Sequence, residues 1–256
     1  MRCKKLIKIS ASLFSIFFLI SCAKETEEFS TEKIADYWPL TVGKYITYRL
    51  DSTVFANLGR TEEIHRYQVK HIVDAQITDN LGRVSYRILR YLRDSVGTNE
   101  WAPNGAYFIT PLNDQVEVVE DNLRFIKLRS PFKLNLDWKG NKYLSSNPYF
   151  SLYSFSNDDN MNDWDYKYNK FDQAATIGTQ TLNNVYTVFQ IDEALNAPVT
   201  DLRSYGFRSY ALEKYAKNIG PVYRDLLLWE YQPNTGSVSG GYKIGFGIRM
   251  WMIDHN

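Results

Sequence analysis

The chain is poor in cysteine. Its 256 residues include two, Cys3 and Cys22, and both lie within the first 22 positions. From Ala23 onward there is no thiol and no disulfide partner, which excludes thiol catalysis and cysteine-based metal sites in that part of the chain. A body of more than 200 residues without disulfides has to be stabilised by its own hydrophobic core.

The sequence also lacks an excess of one charge. The formal net charge is +1, and it becomes −3 once Arg2, Lys4, Lys5 and Lys8 are set aside. A nucleic-acid-binding surface needs a basic patch or stripe, and this composition provides none. We therefore predict no nucleic-acid partner.

Long apolar runs are missing as well. The apolar stretch Leu6–Ile20 is interrupted by serines and is shorter than the roughly 20 residues of a transmembrane helix. Arg2, Lys4 and Lys5 precede this stretch, Lys8 lies near its start and Ser21 follows it, an arrangement that is typical of a secretory signal. The run Leu19-Ile20-Ser21-Cys22 resembles the lipobox of bacterial lipoproteins. This resemblance implies that residues 1–21 are removed and that Cys22 carries a lipid with acyl chains such as palmitate. The alternative is an ordinary signal peptide with an incidental cysteine.

Residues 22–33 are predicted to form a flexible tether. Its acidic cluster, Glu25, Glu27 and Glu28, resembles the short acidic export signal of surface lipoproteins in Bacteroidota. The alternative is a solvated charged linker. Several acyl chains attach a protein to a membrane durably. We expect an outer-membrane anchor, with the cell surface favoured over the periplasmic face.

From Ile34 onward the composition is that of a β protein, because all 19 Tyr, all 6 Trp and ten of the 14 Phe lie there, and these residues favour half-buried pleated surfaces. Several runs alternate with period two: Tyr45–Leu50, His65–Ile77, Arg83–Asp94, Gln115–Glu120, Leu123–Leu128, Gln173–Gly178, Val185–Asp192, Val222–Tyr231 and Tyr242–Ile253. We predict one antiparallel domain over residues 34–256 with eight to eleven strands and one short helix near Tyr210–Lys217. A strongly curved sheet or partly open barrel fits best, and a two-sheet β-sandwich is the alternative.

Two local features refine this prediction. Asp121-Asn122 between two strand-like runs is a two-residue hairpin candidate. Gly245 and Gly247 lie opposite the apolar face of the last strand, which predicts a bend or a close backbone approach.

Four phrases of the body also resemble other proteins. They are Tyr37–Tyr45 (YWPLTVGKY), Leu123–Leu128 (LRFIKL), Asp137–Asn141 (DWKGN) and Tyr215–Arg224 (YAKNIGPVYR). Together they resemble uncharacterised lipoproteins of Bacteroidota. The last phrase is also similar to a segment in domains of unknown function whose folds are like lipoprotein-carrier half-barrels. The resemblance implies a cellular address and a fold tendency, and it implies no catalytic residue.

Signatures of catalysis are absent from the sequence, which contains neither Gly-x-Ser-x-Gly nor His-Glu-x-x-His. His65 and His71 are six residues apart on a predicted strand, roughly 20 Å, so they cannot share one ion. Glu230 is the best single acid candidate for a hydrolase and is interpreted as a solvent-facing strand residue. We predict no enzymatic activity and no cofactor.

The segment Phe155–Asp172 is the most unusual part of the chain. Four of its acids offer oxygen ligands for calcium: Asp158, Asp159, Asp163 and Asp165. An EF-hand match fails, because Asp163 stands where glycine is needed and Asn169 stands where glutamate is needed, so no metal site is predicted. Trp164, Tyr166 and Tyr168 form a candidate surface for a ligand or partner. Alternatively, these rings pack back on the sheet.

The leading functional hypothesis is a non-catalytic, lipid-anchored envelope protein that binds an apolar ligand or docks a partner. The ligand version requires a cavity of roughly a few hundred Å³. A surface glycan-binding module is the alternative. A carboxylate-dependent hydrolase is the third hypothesis and would require two acids facing each other in one cleft.

Overall fold

The computed structural model describes residues 32–156, 160–234 and 240–256. The lipidation candidate Cys22, the leader 1–21 and the acids Asp158 and Asp159 lie outside these residues. Strands dominate the described chain: β1 Tyr45–Phe55, β2 Thr61–Thr78, β3 Val84–Asp94, β4 Ala102–Pro111, β5 Gln115–Glu120, β6 Leu123–Arg129, β7 Asp137–Lys139, β8 Asp165–Ile177, β9 Gln180–Leu195, β10 Gly206–Ala216, β11 Gly220–Gln232 and β12 Tyr242–His255.

Helical structure is limited to single turns among these residues. Helix α1 spans Ile34–Tyr37, α2 spans Ala56–Gly59, and a 3₁₀ turn spans Met161–Asp163. Within α2, Asn57 and Leu58 have left-handed backbone angles. No helix in the described ranges is long and apolar enough to cross a membrane.

The strands form one antiparallel sheet in which almost every strand pairs with its neighbours in sequence. The order is β6-β5-β4-β3-β2-β1-β12-β11-β10-β9-β8-β7, so β1 and β12 join the two halves. At the two edges, the Ile126 amide donates to the Gly140 carbonyl at 2.7 Å, and the Trp138 indole donates to the Ile126 carbonyl at 2.9 Å. The sheet is thus nearly closed into a barrel, which confirms the predicted fold class.

One end of the barrel is filled by the chain that precedes β1, and we call it the plug end. Tyr37 is fully buried there, with its ring 4.6 Å from Phe132 and 5.2 Å from Tyr186. Trp38 lies beside Tyr215, with ring centroids 5.5 Å apart. This end is therefore filled by aromatic side chains that belong to the main hydrophobic core.

The opposite end contains the β1–β2 turn Ala56–Gly59, and we call it the tip end. The described part of the connection between β7 and β8 packs inward at this end, with the rings of Tyr149 and Tyr153 each 5.1 Å from that of Phe246. Because β1 has 11 residues, the two ends are separated by roughly 35 Å along the strand.

The local predictions were partly right. Asp121 and Asn122 both have positive φ and form the two-residue turn between β5 and β6, as predicted. Gly245 lies so close to the neighbouring strand that an added Cβ would be 2.1 Å from the Leu228 carbonyl oxygen, which confirms the predicted close approach.

The predicted helix near Tyr210–Lys217 is wrong, because β10 occupies that region and pairs with both β9 and β11. Its inward residues are Ser209, Ala211, Glu213 and Tyr215, and all four are buried. Ser209 and Glu213 are polar. The buried positions therefore alternate along the strand, but hydrophobic residues do not, and the sequence shows no alternating hydrophobic pattern. Strands β4 and β7 were also unexpected, and the described ranges contain twelve strands instead of eight to eleven.

Candidate functional site

The predicted aromatic surface is not present. Trp164, Tyr166 and Tyr168 are 7%, 0% and 0% exposed, and all three belong to the core. The two tyrosine hydroxyls have partners inside the protein: Tyr166 donates to Asn141 and Tyr168 to the Arg129 carbonyl, both at 2.7 Å. The three residues alternate with polar ones, which places them together on the inward face. This corrects the surface prediction in favour of the alternative in which the rings pack on the sheet.

The interpretation of Glu230 as a solvent-facing strand residue is also wrong. It is 2% exposed instead of facing solvent. Its carboxylate accepts hydrogen bonds from the amide and hydroxyl of Ser156 at 3.0 Å and from the hydroxyl of Tyr205 at 2.9 Å. Glu230 thereby fastens the segment that crosses the tip end to β11.

The two strand histidines have different environments. His65 is exposed and lies 2.9 Å from a carboxylate oxygen of Glu63. His71 faces the barrel interior, and its Nδ1 is 3.1 Å from the hydroxyl of Tyr107. Desolvation by burial lowers the pKa of His71 to about 4, and the nearby guanidinium groups of Arg90 and Arg224 also lower it. His71 is therefore neutral at pH 7.

A chain of ion pairs crosses the barrel interior, and sequence reasoning missed it entirely. Lys127 on β6 is 2.8 Å from Glu213 on β10. Arg224 on β11 lies 3.6 Å from Glu213 and 2.9 Å from Glu120 on β5, and Arg90 on β3 lies 2.8 Å from Glu120. These contacts connect strands that are far apart in the sheet order. We call these five residues the interior charge network.

Both carboxylates of the network are held in the ionised form. Burial by itself would raise the pKa of Glu120, but Arg224 and Arg90 outweigh it and lower this pKa to about 2. Burial likewise opposes ionisation of Glu213, while Lys127 and Arg224 keep its pKa below the ordinary value. A glycosidase needs one carboxyl with a raised pKa as general acid. In the network the pKa values of Glu120 and Glu213 are both lowered, so neither carboxyl meets this requirement.

The interior cavities are small. One of about 50 Å³ lies among His71, Tyr107, Glu120, Lys127 and Arg224, and another of about 30 Å³ lies toward the plug end. A water molecule needs roughly 10–15 Å³ of such volume. These cavities therefore have room for a few waters, far less than the lipid-binding hypothesis requires.

Two larger clefts lie at the tip end, on either side of the α2 turn, and we call them the tip clefts. The first, about 480 Å³, is lined by Phe55, Leu58, Gly59, Arg60, Tyr153, Tyr242, Lys243, Ile244 and Gly245. The second, about 430 Å³, is lined by Gly59, Arg60, Glu62, Val199, Leu202, Tyr231, Asn234, Gly240, Gly241 and Lys243. Both volumes fall within the range of roughly 300–1,000 Å³ that is usual for binding sites.

Leu58 stands at the top of the turn in an unfavourable position. Its φ is +55°, between Asn57 and Gly59, which are also left-handed. A non-glycine residue pays about 1–2 kcal/mol in this conformation. The Leu58 side chain is nevertheless 82% exposed, so burial does not offset that cost.

The turn is held firmly against β12. A Cβ on Gly59 would lie 2.1 Å from the Lys243 carbonyl oxygen, so the backbones touch at this point. The Lys243 ammonium lies 2.8 Å from Glu62 and 4.3 Å above the ring of Trp229. Arg60 is exposed between the two clefts, and within the described residues its guanidinium has no hydrogen bond or ion pair.

Within the described ranges, no three His, Cys, Asp or Glu side chains are arranged to hold a metal ion. Asp163 and Asp165, from the segment considered for calcium, lie near Lys139, whose ammonium is 2.6 Å from the Asp163 carbonyl and 3.0 Å from the Asp165 carboxylate.

No protein-family model matches the chain, and no curated protein matches it. A solved structure from Bacteroides fragilis, of a protein that is thought to be exported and has a YmcC-like fold, is similar over 84% of this chain and 98% of that one. The two are 8% identical in sequence, and the TM-score is 0.40. A score of this size reflects a loose likeness of shape, so no residue or activity is transferred.

Proposed function

We propose that the protein is a non-catalytic lipoprotein of the cell envelope whose tip end docks a protein partner. The lipobox-like run ending at Cys22 supports the anchor, and the acidic tether supports outer-membrane attachment with display at the cell surface. The tip clefts and the exposed Leu58 support docking. The small interior cavities favour docking over storage of an acyl ligand.

The proposed anchor would lie near the plug end of the barrel, opposite the proposed docking surface at the tip end. The described chain begins at Glu32, whose carboxylate is 2.9 Å from the Tyr37 hydroxyl and 3.1 Å from Lys217, both at the plug end. A lipid on Cys22, ten residues earlier, keeps this end within roughly 20 Å of the bilayer if the tether is flexible. The tip end would then point away from the membrane.

Leu58 is the observation that carries the docking proposal. The side chain is apolar and exposed, and its backbone conformation is one that Asn or Gly adopts at lower cost. Strain of this kind persists at functional sites. Leu202 and Tyr242, which line the two clefts, are 67% and 40% exposed and extend the apolar surface.

The glycan-binding alternative loses its candidate residues, because Trp164, Tyr166 and Tyr168 are buried. The hydrolase hypothesis loses support from the ionised state of Glu120 and Glu213. Both hypotheses predict that some soluble glycan binds or is cleaved.

The docking proposal is tested by placing a photo-crosslinking amino acid at position 58 in cells that produce the lipidated protein. A matched control carries the same amino acid at Arg66, on the outer wall of the barrel. We expect a discrete protein adduct from position 58 and none from position 66. Equal labelling at both positions, or adducts with lipid alone, would refute docking at the tip end.

The substitution Leu58→Asn provides a second test. Asn tolerates left-handed angles, so we expect the free energy of unfolding to rise by about 1 kcal/mol. The partner protein identified by the crosslink should no longer co-purify with this variant. A variant that is both more stable and still fully bound would show that Leu58 is not part of the docking surface.

A further inference from the structure

The chemistry of the partner can be narrowed from the charges around the tip clefts. Lys243 is already neutralised by Glu62, as described above. Arg60 is different, because its guanidinium lies between the clefts without an anionic partner among the described residues. A partner that covers both clefts would desolvate this cation, and a buried unpaired charge is costly. The partner therefore needs an anionic group at this point.

The position of Arg60 is set by the backbone. Its amide donates to the Asn57 carbonyl at 3.3 Å, closing the turn, and the contact between Gly59 and the Lys243 backbone fixes the turn on the barrel. A cation presented on a fixed turn loses less conformational freedom on binding than one on a mobile loop. Arginine also binds a carboxylate through two parallel hydrogen bonds, which fix the orientation of the carboxylate relative to the guanidinium.

Apolar side chains surround this cation on both sides. The first cleft contributes Phe55, Leu58 and Ile244, and the second contributes Val199 and Leu202. The anionic group must therefore sit next to apolar groups that fill the clefts. The backbone of Gly240, which is exposed, and that of Gly241, which is partly buried, add polar groups along the second cleft.

We infer, on the basis of the proposed docking function, that the partner presents a polypeptide segment in which a carboxylate is flanked by apolar side chains, and that this carboxylate pairs with Arg60. A polypeptide fits better than a fatty-acid anion because both clefts are open and carry polar groups. An acyl chain lying in them would stay largely in water.

The test uses the lipidated protein in nanodiscs and a library of short peptides with one Asp among apolar residues. Each peptide has a partner in which Asn replaces Asp. We expect Asp peptides to bind about tenfold more tightly than their Asn partners, a difference of about 1.4 kcal/mol. Arg60→Gln should abolish the difference, and Arg60→Lys should restore only part of it. Arg66→Gln removes the same charge from the barrel wall and should change nothing.

The outcomes separate this inference from the docking proposal. If Asp and Asn peptides bind equally, and Leu58→Asn weakens both, docking stands and recognition of a carboxylate by Arg60 is refuted. If the peptides bind but neither Leu58→Asn nor Arg60→Gln matters, they bind elsewhere and both proposals fail. If no peptide binds, or if laurate binds in their place, the peptide assignment is overturned, and the photo-crosslinking experiment at position 58 decides docking independently.

Discussion

At the scale of single residues, the interior charge network is the feature that could not be predicted. Lys127 and Glu213 occupy inward positions that a sequence pattern assigns to hydrophobic residues. Because both side chains are charged, the hydrophobic alternation that predicts inward positions is interrupted at these two residues. A buried ion pair is recognised only when its partner is known, and here the partners are 86 residues apart in sequence.

Lys127 provides the first prediction. Lys127→Met removes one partner of a buried pair and leaves Glu213 with Arg224 and the Tyr215 hydroxyl, which donates at 2.5 Å. Breaking a buried pair costs about 3–5 kcal/mol. We expect a loss of stability near the lower value for Lys127→Met, because Arg224 and Tyr215 still contact the Glu213 carboxylate. Urea unfolding measures the change. Adding Glu213→Gln to Lys127→Met should recover part of the loss, since the uncompensated carboxylate is then gone. A loss below about 1 kcal/mol for Lys127→Met would mean that water solvates this carboxylate.

His71 provides the second prediction, which concerns pH. Its pKa is lowered to about 4 in the folded protein, whereas an unfolded histidine has a pKa near ~6.5. Between these values the unfolded chain binds the proton and the folded chain does not, so stability falls as the pH falls from about 6.5 to 4. The total loss is roughly 3.5 kcal/mol, at about 1.4 kcal/mol per pH unit.

The effect is measured by urea unfolding at several pH values across this window. His71→Gln should flatten the profile there. Glu120 adds a separate loss of stability at lower pH, because its carboxylate is protonated as the pH falls toward its pKa of about 2 in the folded protein. A profile that His71→Gln does not alter would assign the acid sensitivity to the carboxylates.

At the scale of elements, the sequence predicted strands well where hydrophobic alternation is complete. Strand β5, Gln115–Glu120, has the predicted bounds, and the turn that follows it was predicted from Asp121-Asn122. Strand β4 was missed because its first half contains Pro103 and Gly105, which are typical of loops. Its neighbours β3 and β5 supply the pairing that the local sequence does not predict.

Gly245 provides the third prediction, at the pairing of β12 with β11. Gly245→Ala would place a Cβ 2.1 Å from the Leu228 carbonyl oxygen, and both groups belong to strand backbones that cannot move independently. Gly82→Ala is the matched control, because Gly82 also has positive φ but nothing lies within 4 Å of the added carbon. We expect about 1–2 kcal/mol of destabilisation for the control and clearly more for Gly245→Ala in thermal unfolding. Equal effects would mean that β11 and β12 separate at this point without cost.

At the scale of the whole molecule, the predicted curved sheet or partly open barrel agrees with the nearly closed twelve-stranded sheet. The tip clefts were beyond sequence reasoning. Their walls come from the α2 turn, the β7–β8 connection, the β9–β10 connection and the start of β12. Only barrel closure brings these segments together, and no local pattern in any of them indicates a site.

The orientation of the barrel provides the last prediction. If Cys22 is acylated and the leader is removed, the mature chain has no free thiol, so a single introduced cysteine can be labelled selectively. Leu81→Cys, 72% exposed in the β2–β3 turn, reports on the plug end, and Arg203→Cys, exposed in the β9–β10 connection, reports on the tip end. With acceptor lipids in a nanodisc, a donor at position 81 should show strong energy transfer and one at 203 weak transfer, because the two ends are separated by roughly 35 Å along β1. Similar transfer from both positions would mean that the barrel lies on its side. Stronger transfer from 203 would turn the tip clefts toward the bilayer, and the surface around Leu58 would then meet lipid instead of a protein partner.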